Sequence, residues 1–224
     1  MRERVLKVRR LGRFGYADGL SLQKDLETQV IDERKSDYLL LLEHPHTFTL
    51  GRSAKTEGVL ATPETLKKID AQVFVTNRGG RVTYHGIGQI VGYPIFSLSP
   101  DRKDIRKYVR DIEEALIDTM AEFEIEAFRI DGLPGVHTAD GKIAAIGVHI
   151  KRWVTTHGFA LNVNTDLSYF DRIIACEGEP VTSMEKILGS EIPLSEVEDK
   201  LVQNFAKVFD FKTVNQEILS IETA

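Results

Sequence analysis

Residues 142–163 carry two apolar segments, KIAAIGVHI and VTTHGFALNV, with a polar turn at Lys151-Arg152. Two such segments around a short turn predict a β-hairpin, and therefore a sheet that is at least partly antiparallel. A bulky helix packed on the hairpin, or a slot for a slender apolar ligand, would explain the small residues on one face of its strands, Ala145, Gly147, Gly158 and Ala160. A fatty acyl chain would suit such a slot, because each buried methylene contributes about 0.8 kcal/mol.

Other strands are predicted along the rest of the chain. One segment, DYLLLLEH, is apolar almost throughout, which is typical of a strand buried on both faces. The remaining predicted strands are Val5 to Leu11, TFTLG, QVFVTN and IVGYPIFSL.

Helices are predicted by apolar residues at three-and-four spacing and by capping residues. The spacing marks residues 17–34, Ile105 to Phe123, and a last helix with Leu201 and Phe205. Capping residues mark helix starts at Thr62-Pro63-Glu64, at Thr182 to Glu185 and at Ser195 to Glu198. Together these elements predict one α/β (α+β) domain over residues 1–224, with a mixed sheet flanked by helices.

The composition excludes several classes of function. Of the 224 residues, 42% are hydrophobic and 28% are charged, which is typical of a globular protein, and the net charge of −5 argues against nucleic-acid binding. No apolar run approaches the ~20 residues that span a bilayer and no signal peptide is recognisable, so we expect a cytoplasmic protein without a membrane partner. Cys176 is the single cysteine, which excludes an internal disulfide framework. His44-Pro45-His46 lacks further ligands at zinc-like spacing, so no metal is expected.

A glycine-rich stretch, RGGRVTYHGIGQ, occupies residues 78–89. Its glycines permit close approach of a ligand to the backbone, but the spacing is neither that of a Walker loop nor that of a dinucleotide fingerprint. Arg78 and Arg81 are either ligand contacts or surface charges. Tyr84 and His85 either orient a carbonyl group or form a structural pair.

Cys176 and Lys142 are the candidate catalytic residues. A free cysteine is often a small buried hydrophobe, but Cys176 lies in a glycine- and proline-containing loop near a predicted helix start, where a thiolate can be stabilised. The acidic neighbours Glu177 and Glu179 oppose ionisation, so a cation from elsewhere would be needed. Lys142 opens an apolar strand, and it is either a solvated surface lysine or a partly desolvated base.

Four segments together resemble the octanoyltransferases of lipoate biosynthesis. The segments are HPHTFTLG, RGGRVTYHGIGQIVGYPI, GKIAAIGVHIKRWVTTHGFALNVNTDL and ACEGEPVTSM, and they run in family order from about Leu11 to Leu188. The chain departs from the family pattern at Ile87, His137, Ala175 and Glu177, and none of these departures removes a reacting group.

The resemblance implies the fold shared with biotin and lipoate ligases and the transfer of an octanoyl group, without a cofactor, from acyl carrier protein to a lysine of a lipoyl domain. The acceptors would be lipoyl-domain proteins such as the glycine cleavage H protein and the E2 subunits of 2-oxoacid dehydrogenases, and the enzyme is expected to be a monomer. Cys176 would form an acyl-thioester intermediate and Lys142 would lower the thiol pKa and transfer protons. The acyl chain would be bound by Arg78, Gly79, Gly80, Arg81, Val82, Thr83, Tyr84, His85, Ala145, Ile146, Gly147, Gly158, Phe159 and Ala160.

Three alternatives stay open on the sequence. An ATP-dependent lipoate-protein ligase of the same fold would need no cysteine, although no separate nucleotide motif is visible. A cysteine hydrolase would pair Cys176 with His85 or His157. A noncatalytic module would bind an acyl chain or an acylated protein without reacting.

Overall fold

The predicted hairpin is present in the computed structural model, which describes residues 4–33, 36–54, 58–174 and 180–217. Its strands are β9 (Gly141–Lys151) and β10 (Val154–Asn162). Their register pairs Gly147 with Gly158 and Ala145 with Ala160, so the four small residues share one face. The turn lies one residue later than predicted, because Arg152 and Trp153 adopt the positive φ angles, 51° and 65°, that a tight hairpin turn requires.

The expected mixed sheet flanked by helices is confirmed. The remaining strands are β1 (Val5–Arg13), β2 (Asp37–Glu43), β3 (Thr47–Leu50), β4 (Gln72–Val75), β5 (Val82–His85), β6 (Gln89–Ile95), β7 (Phe128–Ile130), β8 (Leu133–Thr138) and β11 (Thr213–Glu217). Within the described residues, eight strands form one sheet in the order β11-β1-β2-β6-β10-β9-β8-β7, and three form a smaller sheet in the order β4-β3-β5. The larger sheet is parallel where β1 pairs with β2 and β11, and antiparallel from β2 to β7.

The helices are α1 (Tyr16–Glu33), α2 (Pro63–Lys68), α3 (Ile105–Ala121), α4 (Met184–Leu188) and α5 (Leu194–Val208). The predicted start of α2 is confirmed, since the Thr62 side chain accepts a hydrogen bond from the Thr65 backbone. Both predicted capping boxes are wrong in detail. The cap of α4 is Ser183, one residue after Thr182, because the Ser183 hydroxyl accepts the Lys186 amide. Helix α5 begins before Ser195, after Pro193, and has no side-chain cap.

Packing on both faces of the large sheet explains why β2 is apolar throughout. One face is covered by α3 and α5 and contributes a core that includes Leu39, Phe159 and Phe205. The other face is covered by α1 and contributes a second core that includes Leu40 and Ala160. Alternate residues of the same strand therefore enter different cores. A smaller cluster, which includes Phe48 and Tyr84, lies against the three-stranded sheet. None of the described helices has the length and apolarity needed to cross a membrane.

Candidate active site

A cavity of about 380 Å³ lies where the glycine-rich stretch meets the hairpin. This volume is within the usual range for small-molecule sites. Its walls include Leu133 and Pro134 of β8, and Ile105 and Val109 of α3. The cavity brings together all the residues predicted to bind the acyl chain except Tyr84: Arg78, Gly79, Gly80, Arg81, Val82, Thr83, His85, Ala145, Ile146, Gly147, Gly158, Phe159 and Ala160.

Glycine at position 147 allows the two walls to approach each other. The Gly79 amide donates a hydrogen bond to the Val148 carbonyl at 2.9 Å, which joins the glycine-rich stretch to β9. A Cβ added at Gly147 would lie 2.9 Å from the Gly79 carbonyl oxygen and 3.2 Å from Arg78 Cδ. Any larger side chain at position 147 would therefore push the two walls apart.

A glycine is required at position 158 for a different reason. A Cβ at this position would lie 2.1 Å from the Gly92 carbonyl oxygen and 2.5 Å from Pro94 Cδ, both on the neighbouring strand β6. Close packing of two strands thus accounts for Gly158, whereas Gly147 is required by the approach of the glycine-rich stretch.

Lys142 also lines the cavity, and an irregularity in β9 determines which face its side chain occupies. The pairing of β8 with β9 matches Val136 with Ala144 but His137 with Lys142, so β9 contains one extra residue, Ile143. The side chains of Ile143 and Ala144 are consecutive, yet both are buried in the core on the α3 and α5 side. Lys142 consequently lies on the same face as Ala145, towards the cavity.

Gly135 provides the space for the Lys142 side chain. A Cβ at this glycine would lie 2.6 Å from Lys142 Cε and 3.2 Å from Nζ. The Lys142 side chain is half-buried. An amine on the wall of a mainly apolar cavity can exchange protons with a bound group there.

Cys176 lies outside the described residues, together with Ala175, Glu177, Gly178 and Glu179. The described residues on either side of this segment are held by backbone hydrogen bonds. Ile174 donates to the Gly58 carbonyl at 2.8 Å, and Pro180 accepts from the Lys142 amide at 2.8 Å. The pairing of Cys176 with Lys142 therefore stays a prediction.

The Arg78 guanidinium is buried and fixed by Thr49 of β3. Arg78 Nε and Nη2 donate to Thr49 Oγ1 at 3.2 and 2.8 Å, and Nη2 also donates to the Thr49 carbonyl at 2.7 Å. Arg78 Nη1 donates to the Gly79 carbonyl at 2.9 Å. These bonds hold the charge as part of the cavity wall, so Arg78 is not a mobile surface charge.

Tyr84 does not line the cavity, and its side chain lies on the opposite face of β5 from that of His85, in the cluster against the three-stranded sheet. Its hydroxyl is 2.7 Å from His46 Nδ1, and its ring stacks on Tyr169 with a centroid separation of 4.8 Å. Tyr169 belongs to a 3₁₀ helix, Leu167–Arg172. Tyr84 therefore connects the glycine-rich stretch to the helix that precedes Ile173.

The structure adds polar residues to the cavity wall that were not among the predicted acyl-binding residues: Tyr16, Arg52, Gln89, Tyr93, His157 and Asn162. Burial raises the pKa of Tyr16 to about 12, against the opposing effect of the Arg78 charge. Burial lowers the pKa of His157 to about 3, and the Arg78 charge lowers it further. At neutral pH both side chains are uncharged and serve as hydrogen-bonding groups. His157 lies in the hairpin segment VTTHGFALNV, whereas Tyr16 comes from α1, for which the sequence showed no site motif.

Among the described residues, no group of three or more His, Cys, Asp or Glu side chains is placed to bind a metal ion. The arrangement is instead suited to holding an elongated apolar group beside an amine and several fixed hydrogen-bonding groups.

Known proteins have similar sequences, and solved structures share the fold. Residues 15–206 match the family model of the lipoyl protein ligase A/B catalytic domain. The chain is 50% identical over 206 residues to an octanoyltransferase of Solibacter usitatus, covering 92% of this chain and 93% of that protein. It is also 50% identical over 219 residues to an octanoyltransferase of Myxococcus xanthus, covering 94% of this chain and 61% of that protein.

A solved bi-partite lipoate protein ligase from Thermoplasma acidophilum shares the fold, with a TM-score of 0.77 at 17% identity over 96% of this chain and 87% of that one. Both the family match and the close relatives extend over most of the sequence. The chain therefore belongs to the lipoyl protein ligase A/B catalytic domain family.

Proposed function

We infer that this protein is an acyltransferase that transfers an octanoyl group to a lysine of a lipoyl domain, in lipoate biosynthesis. One observation carries the inference: a chain half identical to an octanoyltransferase has a cavity that combines apolar walls with the Lys142 amine. On the sheet face that Lys142 shares, the cavity residues Val91, Ala145 and Ala160 offer a narrow apolar surface that suits an octanoyl chain.

We propose that the reaction has two covalent steps. The Cys176 thiolate attacks the carbonyl carbon of an octanoyl thioester, a new carbon–sulfur bond forms, and the donor thiol leaves with a proton. The amine of the acceptor lysine then attacks the acyl-cysteine, an amide bond forms and the Cys176 thiolate is released. This order is ping-pong, and no ATP is required because the thioester already activates the acyl group.

Lys142 is proposed as the group that exchanges protons with Cys176 and with the attacking amine. Its position on the cavity face supports this role, since the extra residue Ile143 turns it away from the α3 and α5 core. Its backbone is also bonded to both Pro180 and Thr182, which follow the cysteine segment in sequence.

The proposed donor is octanoyl-acyl carrier protein, and the proposed acceptors are lipoyl-domain proteins such as the glycine cleavage H protein and the E2 subunits of 2-oxoacid dehydrogenases. The enzyme is proposed to act as a monomer in the cytoplasm. The predicted acyl-binding residues other than Tyr84 are proposed to contact the octanoyl chain or its carbonyl group, since they line one cavity.

Intact-protein mass spectrometry after mixing with octanoyl-acyl carrier protein tests this function. We expect an octanoyl adduct on Cys176 that disappears when an apo lipoyl domain is added, and no adduct in Cys176→Ala. Transfer that requires ATP and free octanoate, or an adduct absent from the wild-type protein during turnover, would overturn the proposal.

Replacement of the lysine tests its role separately. Lys142→Gln is expected to lower kcat by roughly 10²–10⁴-fold, because proton transfer by a positioned side chain contributes that much. Lys151→Gln is the matched control, since Lys151 lies at the end of the same strand with 61% of its side chain exposed. Equal activity of the two variants would contradict the assignment of Lys142.

A further inference from the structure

A continuous chain of buried hydrogen bonds crosses the wall of the cavity, from the Arg78 guanidinium to the backbone beside Lys142. Its side chains are contributed by β3, β5, β6 and β10 and the segment before β5, which come together only in the folded molecule. All of its members are buried: Arg78, Thr49, His85, Gln89, Asn162 and Thr182.

The direction of every bond in this chain is fixed from its backbone end. The Thr182 carbonyl can only accept, so Asn162 presents its amide nitrogen to it, at 3.0 Å. Asn162 Oδ1 therefore faces Gln89, whose amide nitrogen donates to it at 2.9 Å. The same nitrogen also donates to the Tyr84 carbonyl at 3.2 Å, and this second backbone acceptor fixes the orientation of the Gln89 amide independently.

The orientation of Gln89 determines the tautomer of His85. Gln89 Oε1 lies 2.9 Å from His85 Nδ1, and this oxygen can only accept, so Nδ1 carries the proton. Burial, with the nearby His44, Arg78 and His157, lowers the pKa of His85 well below its usual range. His85 is therefore neutral, and its Nε2 is a hydrogen-bond acceptor.

The other end of the chain requires the same tautomer. Thr49 Oγ1 accepts from both Nε and Nη2 of Arg78, which occupies its two lone pairs. Its remaining hydrogen can only be donated, and His85 Nε2 lies 3.5 Å away. A proton on Nε2 would face an oxygen that has no lone pair left. Every bond thus points the same way, from Arg78 towards Thr182, and such chains polarise their members cooperatively.

We propose that Gln89 and Asn162 are positioning residues, which hold His85 as the Nδ1–H tautomer and fix the Arg78 wall of the cavity relative to the backbone of Lys142. Thr182 completes the connection, because its amide donates to the Lys142 carbonyl at 3.0 Å. His85 Nε2 thus accepts from the Thr49 hydroxyl and cannot donate a hydrogen bond to an acyl carbonyl. The part of the proposal that concerns catalysis rests on the proposed octanoyl transfer.

Nitrogen NMR of the histidine side chains tests the tautomer directly, with the wild-type protein labelled with ¹⁵N. We expect His85 to show a protonated Nδ1 and an unprotonated Nε2 at pH 7. Gln89→Met removes the acceptor while keeping a similar volume, and should give a mixture of the two tautomers. An Nε2–H tautomer in the wild-type protein would overturn the proposal.

Kinetics test the positioning role. Asn162→Leu and Gln89→Met should each lower kcat for octanoyl transfer by about 10–100-fold, since small displacements of reacting groups have effects of this size. Asn204→Leu is the matched control, because Asn204 is equally buried but bonds to Thr119 and Glu122 between α3 and α5, and it should keep kcat within about twofold.

Three results are informative. If folded Asn162→Leu keeps the wild-type kcat, or if Asn204→Leu loses as much, the positioning role is wrong. If Asn162→Leu does not fold, the near-isosteric variant Gln89→Glu decides, because it keeps an acceptor for His85 and replaces the amide that donates to Asn162 and to the Tyr84 carbonyl. If the wild-type protein itself transfers no octanoyl group, the proposed function fails, while the NMR result still decides the tautomer.

Discussion

The Phe159 ring lies directly over Gly92 of the neighbouring strand, where a Cβ would come within 2.1 Å of Phe159 Cζ. Phe159 is buried in the α3 and α5 core and also lines the cavity. The absence of a side chain at position 92 therefore determines where an aromatic wall of the cavity lies. A single methyl group added there would have to displace the ring.

Gly92→Ala is therefore expected to lower the free energy of unfolding by about 1–3 kcal/mol, the usual effect of overpacking a core. Urea unfolding measures the change. Gly79→Ala serves as the control, because its added Cβ would meet only the Val148 carbonyl at 3.5 Å, which is ordinary contact. If Gly92→Ala is no less stable than Gly79→Ala, the Phe159 ring does not pack directly against Gly92.

At the scale of the element, serine has different roles at the starts of two helices. Ser183 is the N-cap of α4 and accepts the Lys186 amide at 3.2 Å, whereas Ser195 lies within the first turn of α5 and makes no capping bond. Ser183→Ala should lower the free energy of unfolding by about 1 kcal/mol, and Ser195→Ala by less than about 0.5 kcal/mol. Thermal or urea unfolding of the two variants, which carry the same chemical change, makes the comparison. Equal losses of unfolding free energy in the two variants would indicate that Ser195 also caps its helix.

The sequence predicted elements well where the pattern was local and long. The apolar spacing from Ile105 to Phe123 predicted α3, and the hairpin segments predicted β9 and β10. The strands β7, β8 and β11 were not predicted, because they are short or polar and gain stability from partners. The clearest example is β11, whose Thr213 pairs with Val5 at the far end of the chain.

For the candidate site, too, the sequence predicted what depends on local patterns and missed what depends on long-range contacts. The glycine-rich stretch and the small residues of the hairpin indicated a cavity, because both patterns are local. Strand alternation could have separated Tyr84 from His85, since neighbours on a strand point to opposite faces. The same alternation could have added Asn162, which shares the face of Gly158 and Ala160 on β10. Tyr16 could not have been assigned to this cavity from the sequence, because tertiary folding alone brings α1 there.

At the scale of the whole molecule, two buried histidines connect the protein's stability to pH. Burial lowers the pKa of His44 to about 4 and that of His157 to about 3. The neutral His44 ring lies 2.6 Å from the Phe14 carbonyl through Nδ1 and 2.7 Å from the Tyr93 hydroxyl through Nε2. The Phe14 carbonyl can only accept, so Nδ1 carries the proton and the Tyr93 hydroxyl donates to Nε2. Protonation of Nε2 would break this second bond and place a charge in the buried interior.

We expect the free energy of unfolding to fall as the pH decreases from about 6.5 to 4, because the unfolded chain binds protons in this range while the folded histidines do not. The His44 pKa alone corresponds to a loss of about 3 kcal/mol. Urea unfolding at pH 7.5 and pH 5 measures the effect. His44→Gln, which cannot titrate, should show a smaller difference between the two conditions, and an unchanged difference would exclude His44 as a source.

The irregularity at Ile143 means that the pairing of β9, as well as residue type, determines the chemistry at this end of the cavity. If all residues from Lys142 to Ala145 stayed and alternated regularly, Ile143 would face the cavity and Lys142 would enter the apolar interior on the helix side. A change of register here would keep both Lys142 and the glycine-rich stretch, yet the ammonium would be on the wrong side of the sheet. The position of this amine therefore depends on how two neighbouring strands pair, and not on the presence of a lysine alone.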